Sequence, residues 1–99
     1  MRILFKPPGQ SFREIIVPND LHTLQELVGG NIETVTFADN ACLICNEDGR
    51  GLGLEENCMF LGVDFVGPIL IVGVKGDEFT DCPLSVVMAS GCIGRRFGS

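Results

Sequence analysis

Five cysteines (Cys42, Cys45, Cys58, Cys82 and Cys92) and one histidine, His22, are the side chains best suited to nucleophilic or metal chemistry. Cys42 and Cys45 have the C-x-x-C spacing of half a zinc site. A zinc ribbon needs a second close pair, and the other three cysteines are scattered along the chain. On a strand, positions 42 and 45 also fall on opposite faces, so they read as two structural thiols. A thiol hydrolase needs a base beside its sulfur, and His22 is the sole histidine. It falls in the first turn of a short predicted helix, where a solvated surface role is expected. There is no serine-bearing nucleophile elbow. No catalytic residue, metal ligand or cofactor is assigned.

Groups suited to binding concentrate between Cys42 and Asn57. Gly49, Gly51 and Gly53 form G-x-G-x-G. A dinucleotide loop needs G-x-G-x-x-G followed by a helix, and no helix follows here, so a Rossmann-type nucleotide fold is excluded. Glycine turns still present backbone N–H groups, and Arg50 projects from one of them. Arg50, Arg95 and Arg96 could clamp phosphates if a subunit interface brought them together. With Asn46 and Asn57 they make the candidate ligand-binding set. The carboxylates Glu47, Asp48, Glu55 and Glu56 lie in neighbouring turns without the regular oxygen spacing of a calcium loop. They form a second candidate set, for a basic partner.

The net charge is −6, from seven basic and thirteen acidic residues. Residues 21–60 hold seven of the acids and a single base, Arg50. A duplex-binding protein needs a basic footprint, so direct nucleic-acid binding is not expected. A basic protein partner, or an acidic surface that imitates nucleic acid, fits this distribution. The odd number of cysteines and the start MRILFKPPGQ, which lacks a long apolar run, point to reduced thiols in a cytoplasm. No apolar run reaches the roughly 18 residues a membrane helix requires.

These groups need a scaffold, and ninety-nine residues suffice for one modest core, so 1–99 reads as a single domain with 91–99 as a candidate flexible tail. Strands are predicted over 1–6 and 12–17, joined by the turn residues of PPGQS. Asn19-Asp20 caps a helix over 21–28, whose stripe is Leu21, Leu24, Leu27 and Val28, and Gly29-Gly30 ends it. Residues 31–37 alternate as a half-buried strand, and 41–45 return antiparallel. Asp48-Gly49 marks a turn. Residues 51–54 read as a short extended piece, 55–57 as a polar turn, and 58–61 as a loop or short strand. Residues 66–74 form the most apolar strand, with 78–79 pairing back. A candidate C-terminal helix spans 83–90, capped by Thr80 or Asp81, with Leu84, Val87 and Met88 on one face.

The expected fold is α+β: an antiparallel sheet of about five strands with one short helix packed on it and a candidate C-terminal helix. A single sheet with so little helix leaves apolar surface uncovered, which predicts a homo-oligomer, a dimer.

The order of these motifs resembles a family of small bacterial, phage and mobile-element proteins catalogued as domain of unknown function 3846. The pieces that carry the resemblance are LQELVGG with the following N-I-E, the C-N-E-D-G turn, G-L-x-x-N, and G-P-I-L-I-V-G-V; they span roughly residues 1–79. The family supplies no catalytic residues to transfer. It implies an intracellular accessory protein of a phage or mobile element in a bacterial cell. The expected function is a non-enzymatic, counter-defence protein that sequesters a small phosphate-containing, nucleotide-type signal at an oligomer interface. One alternative is an acidic, nucleic-acid-mimicking inhibitor of a basic host defence protein, such as a nuclease, restriction or CRISPR protein. A small hydrolase is the other.

Overall fold

The computed structural model describes residues 1–94. The chain runs β1 (Arg2–Lys6), β2 (Arg13–Ile16), α1 (Leu21–Val28), β3 (Ile32–Ala38), β4 (Ala41–Asn46), β5 (Glu56–Phe60), β6 (Val63–Val66), β7 (Ile69–Lys75), β8 (Glu78–Thr80), α2 (Val86–Gly91) and β9 (Ile93–Gly94). This is an α+β architecture. The larger sheet has the order β2-β1-β7-β4-β3, and β8 adds to β7 at residues 73–75, making six strands. A second sheet of three strands has the order β6-β5-β9. Every pairing among the described residues is antiparallel.

The central strands explain the layering. All of β4 and residues Ile69–Gly73 of β7 are buried, because both faces of the large sheet are covered. One face, with Ile3, Phe5, Cys42, Ile44, Leu70 and Val72, lies beneath Leu24 and Val28 of α1. The other, with Leu4, Leu43, Cys45, Ile69 and Ile71, packs on Phe60 and Phe65 of the small sheet and on Ala89 of α2. Cys42 and Cys45 point to opposite faces, as strand alternation requires.

The first half of the chain folds as its local signals direct. Phe5↔Arg13 to Arg2↔Ile16 close the first hairpin. Asp20 caps α1 by accepting from the Thr23 N–H at 2.7 Å, and Gly29 ends it in the left-handed conformation at φ 80°. Of the predicted stripe, Leu24 and Val28 are buried and Leu27 is half-buried, whereas Leu21 is exposed.

The second half departs from expectation. Residues 51–54 are not extended; they continue a run of turns from Glu47 to Gly53. The polar residues Glu56 and Asn57 open β5 and make no turn. Residues 63–66 form β6, separate from the apolar strand, which begins at Ile69. The small sheet has no clear local signal in the sequence because its hairpin turn carries an unexpected residue. Phe60 pairs with Val63 across Leu61-Gly62, and both turn residues have positive φ, 48° and 83°. This is the type I′ pattern, which favours Asn, Asp or Gly. Leu there costs about 1–2 kcal/mol in backbone strain.

The face expected to lie bare is therefore covered by the small sheet and α2. The helix differs too. Its N-cap is Ser85, and it buries Ala89, leaving Val87 81% and Met88 59% exposed. Asp81, expected as a cap, accepts from the Arg2 backbone N–H at 2.7 Å. Among the described residues no helix is long and apolar enough to cross a membrane.

Gly67 is the joint between the sheets. It sits at φ 72°, the left-handed region that favours glycine, and a Cβ there would lie 2.7 Å from Leu54 Cδ1, so any other residue would be strained and would displace Leu54.

Candidate functional site

A cleft of about 390 Å³ opens where the β3–β4 edge of the large sheet faces β6 of the small one. Its volume is in the range of small-ligand sites. The apolar lining comes from Val35 on β3 and Phe65 and Val66 on β6. The polar lining comes from Glu33 on β3, from the turn after β4 (Glu47, Asp48, Arg50) and from Asp64 on β6.

The turn is held from within. Asn46, at the end of β4, is buried; its Nδ2 donates to the Val28 carbonyl at 3.1 Å and its Oδ1 accepts from the Asp48 N–H at 2.8 Å. One amide thus ties α1 to the turn. The Gly49 N–H donates to Asn46 O, Leu52 N–H to Asp48 O, Gly53 N–H to Arg50 O and Leu54 N–H to Gly49 O. These amides are used inside the turn, so they do not converge on an anion as they do in a phosphate nest. Arg50 Nη2 donates to the Asp64 carbonyl at 2.9 Å and spans the cleft from the turn to β6.

Electrostatics follow from the count. Among the described residues, Glu33, Glu47, Asp48 and Asp64 surround the cleft with one guanidinium, Arg50. Concave walls of low dielectric focus that negative field. Among the described residues no three histidine, cysteine or carboxylate groups converge closely enough to hold a metal ion. The charge is spread around the opening.

Cys45 contributes the only thiol of the lining. Burial pushes it up to about 11, and the neighbouring Glu33 carboxylate adds to the shift by charge and as an acceptor. The Sγ–Oε2 separation is 3.9 Å. A thiol with so high a pKa is protonated at neutral pH and is a weak nucleophile. Burial likewise raises Cys42, Cys58 and Cys82. His22 pairs with Glu26 at 2.6 Å on the surface of α1, which covers the opposite face of the sheet from Cys45.

The structure thus brings together four of the residues singled out from sequence, Asn46, Glu47, Asp48 and Arg50. It separates the others. Asn57 lies outside the cleft lining, donating to the Lys6 and Gly67 carbonyls at 2.8 Å each and accepting from the buried Lys6 ammonium. Glu55 and Glu56 are exposed at the start of β5 and do not line the cleft. Arg95 and Arg96 lie outside the described residues. Sequence reasoning missed Glu33, Asp64 and the apolar floor. Glu33 was within reach, since alternation puts it on the same face as Val35, opposite Cys45 in register. Asp64 was hidden with β6.

No curated protein and no solved structure matches the chain. A family match covers residues 1–89, ten residues beyond the motifs noted above and into α2. With nine-tenths of its length matched, the chain belongs to the family described as Domain of unknown function (DUF3846).

Proposed function

We propose that this chain is a non-enzymatic binding protein whose acidic cleft receives a cationic side chain of a basic protein partner. The observation that carries this reading is that, among the described residues, four carboxylates and a single arginine surround an apolar floor. A lysine or arginine has the matching anatomy. Its methylene stem would lie along Val35, Phe65 and Val66 while its charged head meets the carboxylates. The net charge of −6 would steer a basic partner toward the chain. In the phage or mobile-element setting that the resemblance implies, the partner class is a host protein that handles nucleic acid. Occupying its basic channel would be a counter-defence act in the host cytoplasm.

One observation favours a second reading. Arg50 is exposed at the cleft mouth, and its guanidinium could hold the phosphate of a nucleotide-type signal, completed by Arg95 and Arg96 across a subunit interface. The two readings separate by calorimetric titration of the full chain. A short arginine peptide should bind and weaken steeply with added salt, and ATP should give no heat. ATP binding that is lost in Arg50→Ala, with the peptide silent, would establish the second reading instead.

A further inference from the structure

β3 carries a groove on each of its faces. Side chains alternate along a strand, so Glu33 and Val35 line the acidic cleft, whereas Thr34 and Thr36 line a second cavity of about 220 Å³ on the opposite face of the large sheet. Cys42, Val74 and Phe79 give that cavity its apolar wall, and Asp77 and Glu78 add negative charge from the β7–β8 hairpin.

β3 is also an edge of the large sheet: among the described residues it pairs with β4 alone. The Glu47 N–H donates to the Asn31 carbonyl at 2.8 Å, which makes residues 31 and 47 a hydrogen-bonded pair. Antiparallel pairs alternate, so Glu33 and Val35 bond to Cys45 and Leu43, whereas Ile32, Thr34 and Thr36 turn their N–H and C=O groups outward. Edges are commonly blunted by lysine or proline, and residues 32–36 contain neither. The register shift between Thr36 and Ala38 ends the regular edge.

A strand edge flanked by pockets for alternate side chains is the arrangement that takes an extended peptide by strand addition. We infer that β3 receives an extended segment of the basic partner as an added strand. Basic side chains at every second position of that segment meet the cleft, and short apolar ones between them meet Thr34, Thr36 and Phe79. This deepens the reading of the cleft and rests on it. Charge selects the occupant. Main-chain hydrogen bonds form with any sequence, whereas the carboxylates of the cleft favour basic residues on the face they line. The β3 strand of a second copy would bring another Glu33 onto the acidic cleft, which like charge opposes.

Amide hydrogen exchange of the isotopically labelled full chain, read by nuclear magnetic resonance with and without a short peptide alternating arginine and valine, tests this. Bound peptide slows exchange at Thr34 and Thr36 by roughly tenfold or more. Thr34→Pro removes an edge N–H that β4 does not use, so that variant keeps the wild-type circular dichroism while its affinity for the peptide falls roughly tenfold. Should the variant fail to fold, exchange in the wild-type chain decides alone. A peptide that shifts the cleft amides while Thr34 and Thr36 exchange as before overturns the inference and leaves the cleft reading standing. Protection at Thr34 and Thr36, with an affinity that Glu47→Lys and Asp48→Lys together do not weaken, upholds strand addition and overturns the cleft reading. A peptide that produces neither shifts nor protection overturns both.

Discussion

Arg50 Nη2 lies 2.9 Å from the main-chain oxygen of Asp64, and this bond ties the turn after β4 to the free edge of β6. An edge strand presents unpaired backbone groups, and here one carbonyl is satisfied by Arg50, the only basic side chain of the cleft lining among the described residues. Arg50 is thereby a brace of the cleft wall, and its role in binding can be separated from its role in holding the wall.

Arg50→Gln keeps most of the side-chain length and removes the charge. Urea denaturation should show a loss of about 0.5–1.5 kcal/mol, the worth of one hydrogen bond. Removing this positive charge leaves the cleft more acidic, so affinity for an arginine peptide should hold or rise. A loss of peptide affinity greater than tenfold would show that the guanidinium itself contacts the ligand.

Glu47 and Asp48 are exposed on the turn and line the cleft. Reversing both, Glu47→Lys with Asp48→Lys, should weaken binding of a cationic peptide at least tenfold. Stability should change by no more than about 0.5 kcal/mol, as for surface positions generally. The salt dependence of the residual binding should flatten, because fewer charges take part.

Asn57 joins β1, β5 and the Gly67 joint through the Lys6 and Gly67 carbonyls, and it caps the buried Lys6 ammonium. Asn57→Ala should destabilise the fold by roughly 2–4 kcal/mol, since it leaves a buried cation and two carbonyls without their partner. Denaturant midpoints read this directly. Unchanged stability with lost ligand binding would return Asn57 to the binding role its type first suggested.

Cys45 sets an upper pH limit. Its folded-state pKa is about 11, above the ordinary thiol value of 9.0. In the window between these values the unfolded chain has lost its proton and the folded chain keeps it. Stability is therefore full below about pH 9 and falls as pH rises toward 11. Cys45→Ala should make that decline shallower, and Cys42, Cys58 and Cys82, which burial also raises, should account for what remains. Alkylation of the folded protein at Cys45 should stay slow at pH 8 and accelerate above pH 10.

The legible parts of the fold were those whose local chemistry agrees with their tertiary setting. Asp20 and Gly29 cap α1 as their types demand, and the alternation of β3 places Val35 and Phe37 inward. The illegible parts are where the two disagree. Leu61 occupies a turn that local preference assigns to asparagine, so the β5–β6 hairpin and its sheet went unread. Val87 and Met88 look like a helix stripe, yet α2 buries Ala89 and turns them outward. The cleft was half legible for the same reason. The turn residues Asn46–Arg50 stand next to one another in sequence, whereas Glu33 and Asp64 reach them only through β3–β4 pairing and the unread β6.

The most direct test of the cleft is nuclear magnetic resonance titration of the isotopically labelled full chain with a short arginine peptide, followed by ATP. The account predicts that the peptide shifts the amides of Glu33, Val35, Glu47, Asp48 and Val63–Val66, and that ATP leaves them in place. Peptide-induced shifts confined to other surfaces, or saturation of the cleft amides by ATP with the peptide silent, would contradict it.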